Sequence, residues 1–438
     1  MRRLKQFGFG METWYYMGAA LVLGFTVPRL HQYIFRDWIS PVDKATMTAI
    51  LAAIAGGMIT LSGLVFSLAF VLVQFGSATY SPRITRVFAR SRVLHHSLGI
   101  FTGTFLYALM ALRTIGMEGM RQVSGLAVWL AMAWLLGSVS VLARMIAVFG
   151  TMTVTNILAA LSRAGRASIA RVYGPSRTGR APASMRPARG PRKHDLAGET
   201  VQRVIYDGEP GYVIGYNIHA LTGLARVADV IIYLPYAIGD ALKDGAAIAL
   251  VRGNAPAVSE SLLYKGIVLG GERTFREDPK YSLRLLVDMA IRALSPAVND
   301  PTTAVQALDH IEALLRRIGN SNLDIGEVRD DTGAPRVVFS TPGWDDYLQL
   351  GLSEIMQYGA ASIQVERRIE ALLRFLRQAT PPDRTAAVDR FARHRRVLSA
   401  GAFDDATFRA WANVADREGI GGGSDGLHVA DAGIRPAV

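Results

Sequence analysis

Gly56, Thr60, Gly63, Ser67, Gln74, Ala78 and Ser81 recur at steps of three, four or seven inside one long apolar stretch. On a helix this spacing gathers them on one face. The face is small and polar and is opposed by Leu, Val, Phe and Ile. At bilayer depth it has two uses. Small residues let another helix approach closely, with hydroxyls bonding backbone or neighbours. Alternatively, hydroxyls and amides line a water-filled path and escape the desolvation cost that polar groups meet in hydrocarbon. Gly56, Thr60, Gly63, Ser67 and Gln74 are the candidate path-lining residues. Arg83, Arg86 and Arg90, just beyond, are candidate inner-mouth charges that would concentrate anions there.

A second constellation lies in the C-terminal half, where Asp288, Arg292, Ser295, Asn299 and Asp300 surround the break LSPAVNDP. Asp300 is a good N-cap and Pro301 a good first-turn residue for the helix that follows. The five side chains form a polar knot at a helix–loop–helix corner, which either pins the corner or binds a cation or small ligand. Other chemistry is poorly supported. His95 with His96 and Asp345 with Asp346 are sequence neighbours without metal-ligand spacing. There is no phosphate loop with its lysine, no nucleophile elbow and no zincin motif. The absence of cysteine removes disulfides, thiolate metal sites and cysteine nucleophiles. The expectation is therefore a protein that is not an enzyme and carries no cofactor or metal.

The elements that must position these residues follow from charge and hydropathy. Residues 1–194 carry 22 Lys or Arg but four acids: Glu12, Asp37, Asp43 and Glu118. Residues 195–438 carry 26 basic and 32 acidic side chains. The division predicts a membrane-embedded half joined to a water-soluble half. Four apolar runs are expected to span: Trp14–Ile34, Thr46–Ser81, Ser97–Met117 and Val123–Phe149. Trp14, Tyr15 and Tyr16 at one end of the first run, and Tyr33 and Trp38 at the other, read as interfacial belts. Pro28 is expected to kink or thin its last turn. Gly99 and Gly103 make a close-packing face, and Arg144 snorkels. Arginine-rich segments before the first run, between the second and third, and after the fourth put both termini in the cytoplasm. No Asp, Glu or Lys lies mid-span, which argues against a carboxylate-coupled carrier.

The boundaries that follow are a four-helix transmembrane domain over 1–152 and a juxtamembrane basic helix and polybasic linker over 153–194. Residues 195–255 form a small β module, 256–420 a mainly helical cytoplasmic domain, and 421–438 a disordered tail. Thr153–Tyr173 reads as a membrane-surface or docking helix. Short β-branched runs at Val201–Tyr206, Gly211–Ile218, Ala228–Leu234 and Ala247–Arg252 read as strands. Leu234–Val251 resembles the closing hairpin of a lipoyl-like or barrel-sandwich module. Helices are expected over Ser282–Ala293, Thr302–Arg317 and Tyr347–Leu376. The fold class is thus an α-helical integral membrane protein with a C-terminal α+β cytoplasmic domain containing a small β-barrel-like module.

The block GLVFSLAFVLVQFGSATYSPRITRVFARSR, then GTFLYALMALRT, then DMAIRALSPAVNDPTTA, resembles a bacterial family of predicted membrane proteins, domain-of-unknown-function family 2254. The resemblance spans most of the chain from Trp14 to about Leu376. Its more specific elements are Ser81, Pro82 and Arg83, and then Asn299, Asp300 and Pro301. It implies four N-terminal spans, a cytoplasmic C-terminal domain and an inner-membrane location, and it assigns no functional residues.

The leading expectation is a homo-oligomeric inner-membrane channel or pore-like protein, its second run lining the path and its cytoplasmic domain assembling and gating it. The alternative is a membrane-anchored scaffold or sensor whose spans merely pack, and a third option is lipid handling. The expected partners are anionic lipids at the cytoplasmic face and further copies of the chain. Nucleic acid is not expected, because no basic stripe interleaved with aromatics appears.

Overall fold

The computed structural model describes residues 11–34, 43–79, 92–115, 125–151, 153–174, 200–253 and 258–420. The chain divides into two compact units, Met1–Thr153 and Val154–Val438.

The first unit contains α1 (Met11–Ile34), α2 (Lys44–Thr79), α3 (Arg92–Ile115) and α4 (Gly125–Gly150). α3 is the central element, packing against each of the other three. Its partners come close because Gly99 and Gly103 present no side chain. A Cβ on Gly99 would lie 2.6 Å from the Tyr16 ring and 3.1 Å from the Thr13 Cα. Several polar groups in the seam are paired locally, although the buried His95 Nδ1 has no hydrogen-bond partner. Thr104 and Ser138 share a hydroxyl bond of 2.8 Å between α3 and α4, and the Tyr107 hydroxyl donates to the Ala127 carbonyl at 2.9 Å. Helix α1 runs through Pro28 to Ile34. Proline cannot donate to the carbonyl four residues back, and the Thr114 hydroxyl lies 3.5 Å from that oxygen, on Gly24.

Three described helices are long and apolar enough to cross a membrane: α2 over Lys44–Val71, α3 over Val93–Thr114 and α4 over Gly125–Gly150. The expected fourth span, α1, falls short of that measure. Glu12, three consecutive aromatics, Arg29, His31 and Gln32 dilute its hydropathy. The segments carrying Arg83, Arg86 and Arg90, the polybasic linker beyond Gly174, and the tail from 421 lie outside the described residues.

The second unit begins with α5 (Val154–Tyr173), whose buried face includes Ile157, Leu158, Leu161, Ile169 and Tyr173. That face packs on α8 (Pro279–Ala293) and α9 (Pro301–Gly319). Of the two expectations for this helix, membrane surface or docking, docking within its own unit describes the packing. α10 (Trp344–Gly359) covers α8, α11 (Ile363–Ala379) covers α9, and α12 (Pro382–Ala402) lies on α10 and α11. α13 (Ala406–Ala412) closes on α11.

The strands are β1 (Thr200–Ile205), β2 (Gly211–Tyr216), β3 (Ile231–Leu234), β4 (Ala241–Leu242), β5 (Ala247–Arg252), β6 (Ile267–Gly270), β7 (Glu327–Arg329) and β8 (Pro335–Phe339). They make a five-stranded sheet of order β1-β5-β3-β8-β7 and a three-stranded sheet of order β4-β2-β6. Among the described residues no closed barrel forms, which corrects the barrel-like expectation. Nor is the module contiguous in sequence, because β3 pairs in parallel with β8, setting Ile232 opposite Val337 and Leu234 opposite Phe339. The expected strand Gly211–Ile218 stops at Tyr216, since the Asn217 side chain accepts from the Ala220 amide and starts α6 (Ile218–Val227). The next strand begins only at Ile231, after Asp229 turns the chain with φ 49°. Leu221 and Ala225 of α6 join Val204, Ile232, Val251 and Val337 in one apolar core. Burying each of the larger side chains stabilises by about 1.5–3 kcal/mol. α7 (Glu260–Gly266) leads into β6.

Candidate functional site

The face of α2 that packs within the first unit is made by Met47, Leu51, Ile54, Ala55, Met58, Val65 and Ala69, all buried. At 3.6 residues per turn, the stripe Gly56, Thr60, Gly63, Ser67 and Gln74 lies roughly 170° around the helix from that face. All five residues are exposed. A Cβ at Gly56 or at Gly63 would meet nothing within 4 Å. The Thr60 hydroxyl donates to the Gly56 carbonyl at 2.9 Å, so its one proton is used within its own helix. Large apolar side chains border the stripe: Ile59, Leu64, Phe66 and Phe70 are each half or more exposed. Among the described residues, the unit therefore leaves this small, polar stripe uncovered, with bulky apolar groups on either side. Arg83, Arg86 and Arg90 cannot be set against this stripe, since they lie outside the described residues.

The corner residues separate into different tasks. Asp288 accepts from Arg284 Nε at 2.6 Å, and the same guanidinium makes a two-pronged bond to Glu354 of α10, at 2.5 and 2.8 Å. The Ser295 hydroxyl donates to the Arg292 carbonyl at 2.7 Å. The Asn299 amide donates to the Ser295 carbonyl at 2.8 Å, and Asn299 holds a left-handed conformation with φ 47°. Asp300 caps α9, accepting from the Thr303 amide at 3.0 Å and from its hydroxyl at 2.5 Å. Arg292 keeps a buried Nε without a hydrogen-bond partner. Ser295, Asn299 and Asp300 are thus brought together in one turn, while Asp288 is drawn away toward α10. Every bond named in the turn tightens the corner itself.

Two features of the second unit escaped sequence reasoning. One is a cleft of about 330 Å³ open volume, walled by Tyr173, Ile238, Lys280, Phe339, Pro342 and Tyr347. The two phenols share a hydrogen bond of 2.7 Å. Burial pushes Tyr173 up to about 12 and holds Tyr347 well above the ordinary tyrosine value. Two of the charged groups on the wall are already engaged: Asp278 caps α8 and accepts from Arg273 at 2.7 Å, and Lys280 donates to Asp240 at 2.9 Å. The other feature is a buried cluster of Glu366, Glu370 and Arg395. The only local signal for it was a pair of glutamates one turn apart at the edge of an apolar helical face. Among the described residues, no three histidine or acidic side chains converge as metal ligands would.

A family model for predicted membrane proteins, DUF2254, matches residues 11–375. The chain belongs to this family. Two curated relatives, both described as uncharacterized proteins, come from Mycobacterium bovis and Mycobacterium tuberculosis. Each is 27% identical over 355 residues, covering 77% of this chain and 65% of the relative. The chain therefore spans just under two thirds of the length of these relatives, and they support a bacterial origin. No solved structure matches. The matched region includes both the α2 stripe and the 288–300 corner.

Proposed function

We propose that this member of the family is a homo-oligomeric bacterial inner-membrane protein in which copies of α2 meet around a water-filled path. Both termini and the second unit lie in the cytoplasm, where that unit assembles and regulates the path, and no catalysis or cofactor is assigned. One observation carries the reading: the small, polar stripe of α2 is uncovered and lies opposite the face that packs on α3. Tight packing inside one copy would bury that stripe, and a purely lipid-facing helix has no need of it. Lipid tails are as apolar as leucine and gain nothing from glycine, serine or glutamine. The absence of carboxylates at depth makes hydroxyls and amides the coordinating groups, and the basic segment after Ser81 favours anions.

The alternative is a scaffold or sensor whose copies pack through the same stripe without conducting. It is favoured by the Thr60 hydroxyl, which is already satisfied by the Gly56 carbonyl and needs no water. Flux through liposomes holding the purified protein separates the two. A conducting path gives solute release that falls at least several-fold with Thr60→Leu or Ser67→Leu and is unchanged by Leu64→Ala on the flanking face. Background release from oligomeric wild-type protein would eliminate the path and leave the scaffold. Ordered acyl chains in the stripe of an oligomer would favour lipid handling instead.

A further inference from the structure

The fully buried residues of α12 are Ala387, Val388, Arg395 and Ser399. Beyond Val388 the innermost positions of this helix are therefore an arginine and a serine rather than apolar side chains. Facing them are Glu366 and Glu370, one turn apart on α11. Arg395 is 1% exposed and Glu366 0%. Arg395 Nη1 donates to Glu366 Oε2 at 2.8 Å. Its Nη2 lies 2.8 Å from Glu370 Oε2 and donates to Asn413 Oδ1 at 2.7 Å. A single guanidinium thus ties α12 to α11 and to the end of α13. A second cation, Arg374, binds Glu370 at 2.8 Å but is about half exposed. The buried set is accordingly two carboxylates against one guanidinium.

Four atoms of the set are buried without a hydrogen-bond partner: Glu366 Oε1, Glu370 Oε2, Arg395 Nε and Ser399 Oγ. The Ser399 hydroxyl can donate to the Glu366 carboxyl, which pairs two of these atoms and by itself favours the ionised form. An ionised Glu366 leaves a second buried carboxylate sharing one cation, an arrangement that burial penalises.

We propose that Glu366 is a proton-operated latch: protonated, it holds α12 and α13 against α11, and ionised, it releases them. The geometry of the cluster carries this inference independently of whether α2 lines a path. The groups facing Glu366 are Arg395 and Ser399 from α12, Glu370 from α11 itself, and Asn413 beside Arg395 after α13. On the helices packed against α11, Glu354 of α10 is bound by Arg284, and Asp309 and Glu312 of α9 are bound by Arg368. Burial is the largest influence on the Glu366 carboxyl and pushes it up to about 7. Glu370 adds to that rise, while Arg395 and Ser399 oppose it. Because the closed value exceeds the ordinary 4.5, the closed form binds the proton more tightly. The stabilisation is complete below the ordinary value and is lost as pH rises through the raised one.

Hydrogen–deuterium exchange on the full chain in lipid nanodiscs reads the latch directly, once corrected for intrinsic exchange rates. The opening constant of the 389–412 segment rises about tenfold between pH 6 and pH 8. Glu366→Gln keeps the segment protected and abolishes the pH slope. Val388→Ala opens α12 at both pH values and keeps the slope, which separates loosened packing from the proton effect. A wild-type segment equally protected at both pH values overturns the latch, as does a slope that survives in Glu366→Gln.

Discussion

Two glycines in neighbouring helices give a sharp contrast. At Gly99 an added Cβ would stand 2.6 Å from the Tyr16 ring and 3.1 Å from the Thr13 Cα. Backbone cannot move aside as a flexible side chain does, so Gly99→Ala overpacks the α1–α3 seam and costs about 1–3 kcal/mol. At Gly63 an added Cβ would meet nothing within 4 Å. There the remaining contribution is the lower chain entropy of alanine, which stabilises a helix by about 0.5–1 kcal/mol. The entropy gain is common to both helical positions, so the two alanine variants separate by roughly 1–3 kcal/mol in the stability of the isolated subunit. Denaturant titration of detergent-solubilised monomer, followed by far-ultraviolet circular dichroism, measures the separation. Gly63→Leu should likewise leave the monomer folded yet shift the oligomer distribution seen by native mass spectrometry or cross-linking. Equal destabilisation of the monomer by Gly99→Ala and Gly63→Ala would show that the stripe is covered within one copy. An unchanged oligomer distribution in Gly63→Leu would show that the stripe faces lipid, and the shared-path argument would collapse.

Three further outcomes are expected. Asp300→Ala removes the cap of α9 and should cost about 1 kcal/mol in the second unit, with Asp300→Asn retaining most of it; chemical unfolding monitored by tryptophan fluorescence checks this. Arg384 donates to the Ile318, Gly319 and Ser321 carbonyls at 2.9, 2.7 and 2.8 Å. Arg384→Met should therefore fray the end of α9 and lower the stability of the unit by about 2–3 kcal/mol, visible as faster amide exchange in 316–321. Tyr173 and Tyr347 are held neutral by burial, with Tyr173 up to about 12 against an ordinary 10.0. The stability they carry is intact below that ordinary value and declines as pH rises through it toward the folded one. Phenolate absorbance should show both titrating only as the unit unfolds, and a normal titration for both would refute their burial.

Features set by short-range rules were legible in the sequence. Asp300 and Pro301 announce the start of α9 because a cap and a first-turn proline act within three residues. The strand Ala247–Arg252 was bounded by its own turns and β-branched content. Helical spacing found the α2 stripe, but periodicity identifies a face without naming what covers it. The same limit applied to α5, whose apolar face meets α8 and α9. Long-range pairing left no local trace. Tyr173 finds Tyr347, and Glu366 finds Arg395, only when separate helices pack. α6 was not anticipated: of its residues only Ile218 fell in an expected strand, and the rest lay between the strands expected at Gly211–Ile218 and Ala228–Leu234. The polar corner was recognised as a group, yet Asp288 belongs to Arg284 and Glu354, an attachment that depends on where α10 lands.

The parallel pairing of β3 with β8 sets a schedule for biogenesis. Ile232 and Leu234 emerge from the ribosome well before Val337 and Phe339, the residues beside which they lie. At ordinary elongation rates the interval is roughly 5–20 seconds. Throughout it, the edge of β3 that β8 will cover stays unpaired, and α8 and α9 are made within the same interval. Aggregation during synthesis should therefore be most acute in chains stalled between the two strands, and it should ease once Phe339 has cleared the exit tunnel.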